Sequence, residues 1–137
     1  PNIVAVKEAS GRYSQISEIL RNALKNFSVL SGNDDETLSL MATGASGVIS
    51  VASNVDPVRM VRLVNALQAD DMSTARHLHY ELMPLFRNCF IESNPIPVKA
   101  ALAIMGLVEN SLRLPLVPAG ETTMHIMEQT IQSLGLQ

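Results

Sequence analysis

Three apolar runs, each followed by a stretch with helical spacing, fill the first 70 residues and constrain the fold more than any other feature of this chain. Ile3 to Val6 is continuous and rich in β-branched residues, which predicts a strand buried on both faces, as in parallel sheets. Beyond Lys7 and Gly11, Ile16, Ile19, Leu20 and Leu24 recur at helical spacing, predicting a helix from about Ser14 to Lys25. Phe27 to Leu30 predicts a second strand, Ser31-Gly32 a turn, and Asn33 an N-cap with Glu36 as its capping-box partner. Gly44 then sits where a helix C′ residue belongs. Gly47 to Val51 predicts a third strand, and Asp56-Pro57 opens a helix to about Ala69. Strand–helix units with such short connections imply a parallel α/β sheet with right-handed crossovers.

From Asp71 the pattern changes. Ala75, Leu78, Leu82, Leu85 and Phe86 keep helical spacing to about Phe90, with Pro84 predicting a kink or a break. Asn94-Pro95-Ile96-Pro97 opens a helix that ends near Gly106. Leu114-Pro115 and Val117-Pro118 mark an extended linker. A last helix from Glu121 turns Met124, Met127, Ile131 and Leu134 inward and stops at Gly135. The organisation expected is therefore β/α units over residues 1–70 and a helical subdomain over 71–137.

A chain of 137 residues suits one domain, yet 47% are hydrophobic and only 17% charged. That is more apolar surface than so short a chain readily hides, so a partner or a further piece of the same fold is expected. Pro1 in place of methionine, and an apolar run entered at Ile3 without lead-in, read as a fragment. The net charge is −3 and the ten Lys and Arg residues are scattered, which gives no electrostatic footprint for nucleic acid. No apolar run approaches the roughly 18–20 residues that span a bilayer. Cys89 is the single cysteine, has no intramolecular disulfide partner, and fits a reducing cytoplasm.

In parallel α/β folds the C-terminal strand ends carry the chemistry, and Lys7 directly follows an apolar strand. Apolar walls disfavour an ammonium ion, leaving free amine to attack a ketone and form an imine. The plainer alternative is a lysine that snorkels to solvent at a strand end. Ser31-Gly32 and Ile49-Ser50-Val51 would reach the same rim, where glycine admits close approach of a ligand; a simple strand-to-helix turn is the alternative. Asn33, Asp34, Asp35 and Glu36 crowd a helix start, where the dipole favours negative charge, so capping explains them better than acid–base work. His77 and His79 diverge on a helix and His125 is alone, so no metal site is expected. Lys25 and Lys99 read as ordinary helix lysines.

The stretches Pro1-Asn2-Ile3-Val4-Ala5-Val6-Lys7-Glu8-Ala9-Ser10-Gly11, Leu30-Ser31-Gly32-Asn33-Asp34, Gly47-Val48-Ile49-Ser50-Val51-Ala52-Ser53-Asn54, Asn94-Pro95-Ile96-Pro97-Val98-Lys99 and Leu112-Arg113-Leu114-Pro115-Leu116 resemble dihydrodipicolinate synthase in order and spacing. The Asn-Pro-Ile-Pro-Val-Lys segment fits this family better than relatives such as N-acetylneuraminate lyase. The resemblance implies an α/β fold: the C-terminal portion, strands six to eight, of a TIM (β/α)8 barrel, followed by a helical C-terminal subdomain. It implies that Lys7 is the imine-forming catalytic residue and that Gly32 and Ile49 line a pyruvate pocket. The implied reaction is a Schiff-base lyase condensing pyruvate with aspartate semialdehyde in lysine and diaminopimelate synthesis, with no cofactor and no metal. A homo-oligomer, tetrameric in the family, is implied as well. The family often has Asp at the position of Asn33, and its relay tyrosines and threonine and its carboxylate-binding arginine have no match here. The expected partner is therefore the N-terminal barrel portion, without which the chain is expected to be inactive. Two rival readings are another 2-keto acid aldolase, like N-acetylneuraminate lyase, and a non-catalytic assembly fragment.

Overall fold

The computed structural model describes residues 2–136; Pro1, on which the fragment reading partly rests, lies outside them. Strand–helix–strand order produces the expected parallel pairing. β1 (Ala5–Glu8), β2 (Ser28–Ser31) and β3 (Gly47–Val48) lie in the order β1-β2-β3, all parallel. Val6 aligns with Val29, Lys7 with Leu30, and Leu30 with Gly47. The chain forms two compact units, Pro1–Ser50 with Val61–His79, and Val51–Met60 with Tyr80–Gln137.

In the first unit, α1 (Tyr13–Asn22) and α2 (Thr37–Ala42) cover one face of the sheet. Ile16, Val29, Leu40 and Ala45 form the buried cluster, with Val6, Ile19, Leu20 and Met41 packed against it. Gly44 closes α2 at φ 114, with the Ala45 N–H bonded to the Leu40 carbonyl at 2.9 Å and the Gly44 N–H to that of Met41 at 3.1 Å. Those two bonds satisfy carbonyls that the helix end leaves free.

Several local expectations need correcting. β1 begins two residues later than the apolar run suggests, and Ile3 and Val4 are 75% and 64% exposed rather than buried. The Val4 carbonyl nonetheless accepts the Ser28 N–H at 2.9 Å, so the pairing with the second strand starts before β1 itself. β3 is only two residues long and gives way to a single 3-10 turn at Ala52–Asn54. Asn33 does not cap through its side chain: a 3-10 turn at Asp34–Glu36 intervenes, and the Asn33 amide instead donates to the Glu36 carboxylate at 2.9 Å. Lys25 lies beyond the end of α1.

Asp56 starts α3 (Pro57–Gln68) by accepting the Arg59 N–H on Oδ1 at 3.0 Å. After α3, Asp70 takes the C′ role at φ 56 without being glycine. α4 (Met72–Asn88) runs through Pro84 without a break. Proline deletes one rung of the ladder, but Leu82, Leu85 and Phe86 on either side are all buried, and their burial outweighs a single lost bond.

In the second unit α5 (Ile96–Ile104) packs on α6 (Glu121–Ser133). Ile96, Val98, Ala100, Ala101, Met127, Ile131 and Leu134 are buried there, whereas Met124 is only partly so. Gly106 and Gly135 close the two helices as read from the sequence. The 107–120 connection carries a turn, with the Leu116 N–H donating to the Arg113 carbonyl at 3.1 Å. Asn88 Nδ2 donates to Thr130 Oγ1 at 2.8 Å, joining α4 to α6.

Candidate active site

Alternation along β1 decides which way its side chains face. Val6 packs toward α1, so Lys7 projects from the opposite face of the sheet, away from the helices. Lys7 is the third residue of β1 rather than the first after it, and it is exposed rather than walled in. The residue level with it on β2 is Leu30, itself level with Gly47 on β3.

Gly32 and Ile49 extend the same ladder by one step. The Gly32 N–H donates to the Glu8 carbonyl at 2.7 Å and the Ile49 N–H to the Ser31 carbonyl at 2.8 Å. Both residues therefore stand at the C-terminal rim of the sheet, just above Lys7. Gly32 is buried and Ile49 is 46% exposed. Lys7 and Gly32 are in direct proximity: a Cβ built on Gly32 would lie 2.9 Å from Lys7 Cε. Ile49 shares the rim through the ladder alone.

The turn after β1 is held by a group that sequence reading passed over. Glu8 faces away from Lys7, is 9% exposed, and accepts the Ser10 N–H on Oε1 at 2.7 Å. Gln15 Nε2 reaches its other oxygen at 3.5 Å. The hydrogen bonds from Ser10, chiefly, hold the Glu8 carboxyl below the usual range, against the opposing effect of burial. The signal was available: strand alternation assigns Glu8 to the face opposite Lys7, and Ser10 stands two residues on. Ala9, whose Cβ crowds the position above Gly32, was also missed, because its partner lies 23 residues away and no spacing rule reveals it.

The remaining cations and imidazoles lie elsewhere. Lys99, on α5, bonds the Ser111 carbonyl. His79 is buried, and that burial pushes its imidazole below the usual range, with the Asp35 carboxylate partly offsetting it. His125 pairs with Gln129 at 3.0 Å. Among the described residues no three His, Cys, Asp or Glu side chains form a group able to hold a metal ion, and no helix is long and apolar enough to cross a membrane.

Sequence and structure comparisons agree about what the chain is similar to. The 4-hydroxy-tetrahydrodipicolinate synthase of Thermosipho africanus is 49% identical over 137 residues, covering 98% of this chain and 47% of that protein. That of Methanosarcina barkeri is 48% identical over 136 residues, again covering 98% and 47%. Dihydrodipicolinate synthase from Aquifex aeolicus superposes with a TM-score of 0.96 at 44% identity, over 98% of this chain and 46% of that one. The chloride-inhibited dihydrodipicolinate synthase of Acinetobacter baumannii, complexed with pyruvate, gives 0.95 at 35% identity, over 100% and 47%. The chain thus spans about half the length of the curated relatives it matches. Its three parallel strands and following helices are those of the C-terminal part of that barrel fold. Because the model of the dihydrodipicolinate synthetase family also matches residues 1–134, nearly the whole sequence, this chain belongs to that family.

Proposed function

We propose that this chain supplies the nucleophile of a Schiff-base lyase that condenses pyruvate with aspartate semialdehyde, acting together with the N-terminal part of the barrel. The observation that carries the reading is the placement of Lys7: on the face turned from the helices, beside the glycine at the strand-end rim. Lys7 Nζ attacks C2 of pyruvate, the C2–O bond breaks, and water leaves as the imine forms. The iminium draws electrons from C3, a C3 proton is lost, and the resulting enamine attacks the aldehyde carbon, whose C=O π bond breaks as the oxygen takes up a proton to give a hydroxyl. The amino group of aspartate semialdehyde then attacks C2, breaking the bond to Lys7 Nζ and freeing the amine. Gly32 and Ile49 line the side of the pocket that this chain contributes. The imine is itself the electron sink, so neither a metal nor an organic cofactor enters these steps.

The sheet supports the partnership, because among the described residues β1 and β3 each have an open edge that closure of a barrel would pair. The homologous enzymes' family also motivates a homo-oligomer, a tetramer, in the cytoplasm. The test uses the complete protein with pyruvate and borohydride, which reduces the imine to a stable adduct. Peptide mapping should locate the adduct at Lys7. Lys7→Arg should abolish it, since guanidinium stays protonated, whereas Lys99→Arg should retain it. The isolated chain should label poorly. An adduct at another lysine, with Lys7 unmodified, would overturn the assignment, and turnover with a different aldehyde in place of aspartate semialdehyde would change the acceptor.

A further inference from the structure

We propose that Gly32 is a positioning residue for Lys7: the missing side chain at position 32 leaves the slot through which the lysine chain runs, and so sets where its amine stands. This rests on the reading of Lys7 as the imine-forming residue. It concerns the lysine rather than the substrate.

Backbone conformation does not require glycine here. Gly11, Gly44, Gly106 and Gly135 all have positive φ, but Gly32 does not. Close approach does require it. A Cβ at position 32 would meet Ala9 Cβ at 2.4 Å, Lys7 Cε at 2.9 Å and the Glu8 carbonyl oxygen at 3.0 Å. By contrast, the nearest atom to a Cβ on Gly47 would be Leu30 Cδ2 at 3.6 Å, an ordinary contact.

The strand ends have little freedom to part and make room. The Gly32 N–H is bonded to the Glu8 carbonyl at 2.7 Å. Ser31, fully buried, donates its hydroxyl to the Asn33 carbonyl at 2.7 Å and so ties the turn from the other side. The movable part of the contact is the lysine chain. Carbon atoms pack at about 3.5–4.0 Å, so an added methyl would drive Cε back by roughly 0.6–1.1 Å. Cε is bonded to Nζ, and the nucleophile moves with it. A displacement of about 1 Å in a reacting group costs on the order of a hundredfold in rate.

Ala9 makes the single variant ambiguous, because its Cβ is rigid and the clash at 2.4 Å threatens the turn itself. Ala9→Gly removes that clash and leaves the one with Lys7 Cε together with the tight 3.0 Å approach to the Glu8 carbonyl oxygen, which must give by a few tenths of an ångström. The experiment compares four complete proteins, the parent, Gly32→Ala, Ala9→Gly and the double variant. It reads thermal unfolding and the rate of borohydride trapping at saturating pyruvate. The double variant should stay folded at the assay temperature yet trap about a hundredfold more slowly than Ala9→Gly, with kcat falling even at saturating pyruvate. A residue of purely structural importance would leave the trapping rate intact once the fold is restored. Trapping by the folded double variant at the rate of Ala9→Gly would overturn the proposal. So would failure of both glycine-32 variants to fold, since the slot would then serve the fold and not the amine. Failure of the underlying assignment looks different: the parent protein itself would show no adduct at Lys7.

Discussion

Replacing Arg59 by alanine should destabilise the second unit by about 3 kcal/mol. Arg59 donates from Nη1 to Asp56 at 2.6 Å, from Nε to Glu81 at 2.8 Å and from Nη2 to the Leu134 carbonyl at 2.9 Å. It thereby joins the start of α3, the middle of α4 and the end of α6. The Asp56 side chain is 2% exposed and that of Arg59 24%, so removing the guanidinium strands a buried carboxylate. Breaking such a pair costs about 3–5 kcal/mol; the partial exposure of Arg59 favours the lower end. Graded substitutions separate the contributions. Asp56→Asn keeps a cap acceptor and loses only the charge, a difference of about 1 kcal/mol between charged and neutral hydrogen bonds. Asp56→Ala also loses the cap on the Arg59 N–H, adding about 1 kcal/mol. Glu81→Gln, whose parent side chain is 33% exposed, should cost about 0.5 kcal/mol. Native-state hydrogen exchange in the complete protein reads these costs locally, at the amides of residues 59 and 136, whose bonds to Asp56 and Ile131 close the two helix ends. A cost below about 1 kcal/mol for Arg59→Ala, or equal costs for Asp56→Asn and Asp56→Ala, would refute the reasoning.

Asp70→Gly should stabilise the chain by about 0.5–1 kcal/mol, because Asp70 holds φ 56 at an exposed helix end where a Cβ is strained; an unchanged or lowered unfolding midpoint would contradict this. His79 has its imidazole pushed down by burial, so its contribution to stability is complete above the ordinary value of 6.5 and declines as the pH falls through the lower folded value. Asp35→Asn, which removes the opposing carboxylate, should lower the His79 midpoint further in an NMR titration, and a rise would sink the assignment. Glu8 is depressed by its Ser10 bonds, so the stability it contributes is full above the ordinary 4.5 and is lost as the pH drops through its folded value. Glu8→Gln should flatten that part of the acid-unfolding curve, and a curve parallel to that of the parent would count against the role.

Local chemistry was legible in the sequence because it depends on neighbours a few residues away. The strand–helix alternation, the Asp56-Pro57 start of α3, and the glycine stops at Gly44, Gly106 and Gly135 all follow from periodicity and from φ preferences that no distant contact altered. The bonding of Asn33 to Glu36 was misjudged for a local reason too, since a 3-10 turn and a capped α-helix share the same acidic start. Family resemblance pointed to Lys7, Gly32 and Ile49, while periodicity alone left Lys7 between a nucleophile and a solvated strand end. What only the tertiary structure decided is how strands distant in sequence meet. Parallel register sets Lys7 opposite Leu30 and lifts Gly32 onto the Glu8 carbonyl. A shift of one residue in that register would exchange the two faces of β1, turning Lys7 under α1 and Glu8 outward. The slot between Ala9 and Gly32 and the three-way reach of Arg59 likewise arise from ångström-scale distances between remote segments, to which the order of residues along one chain is blind.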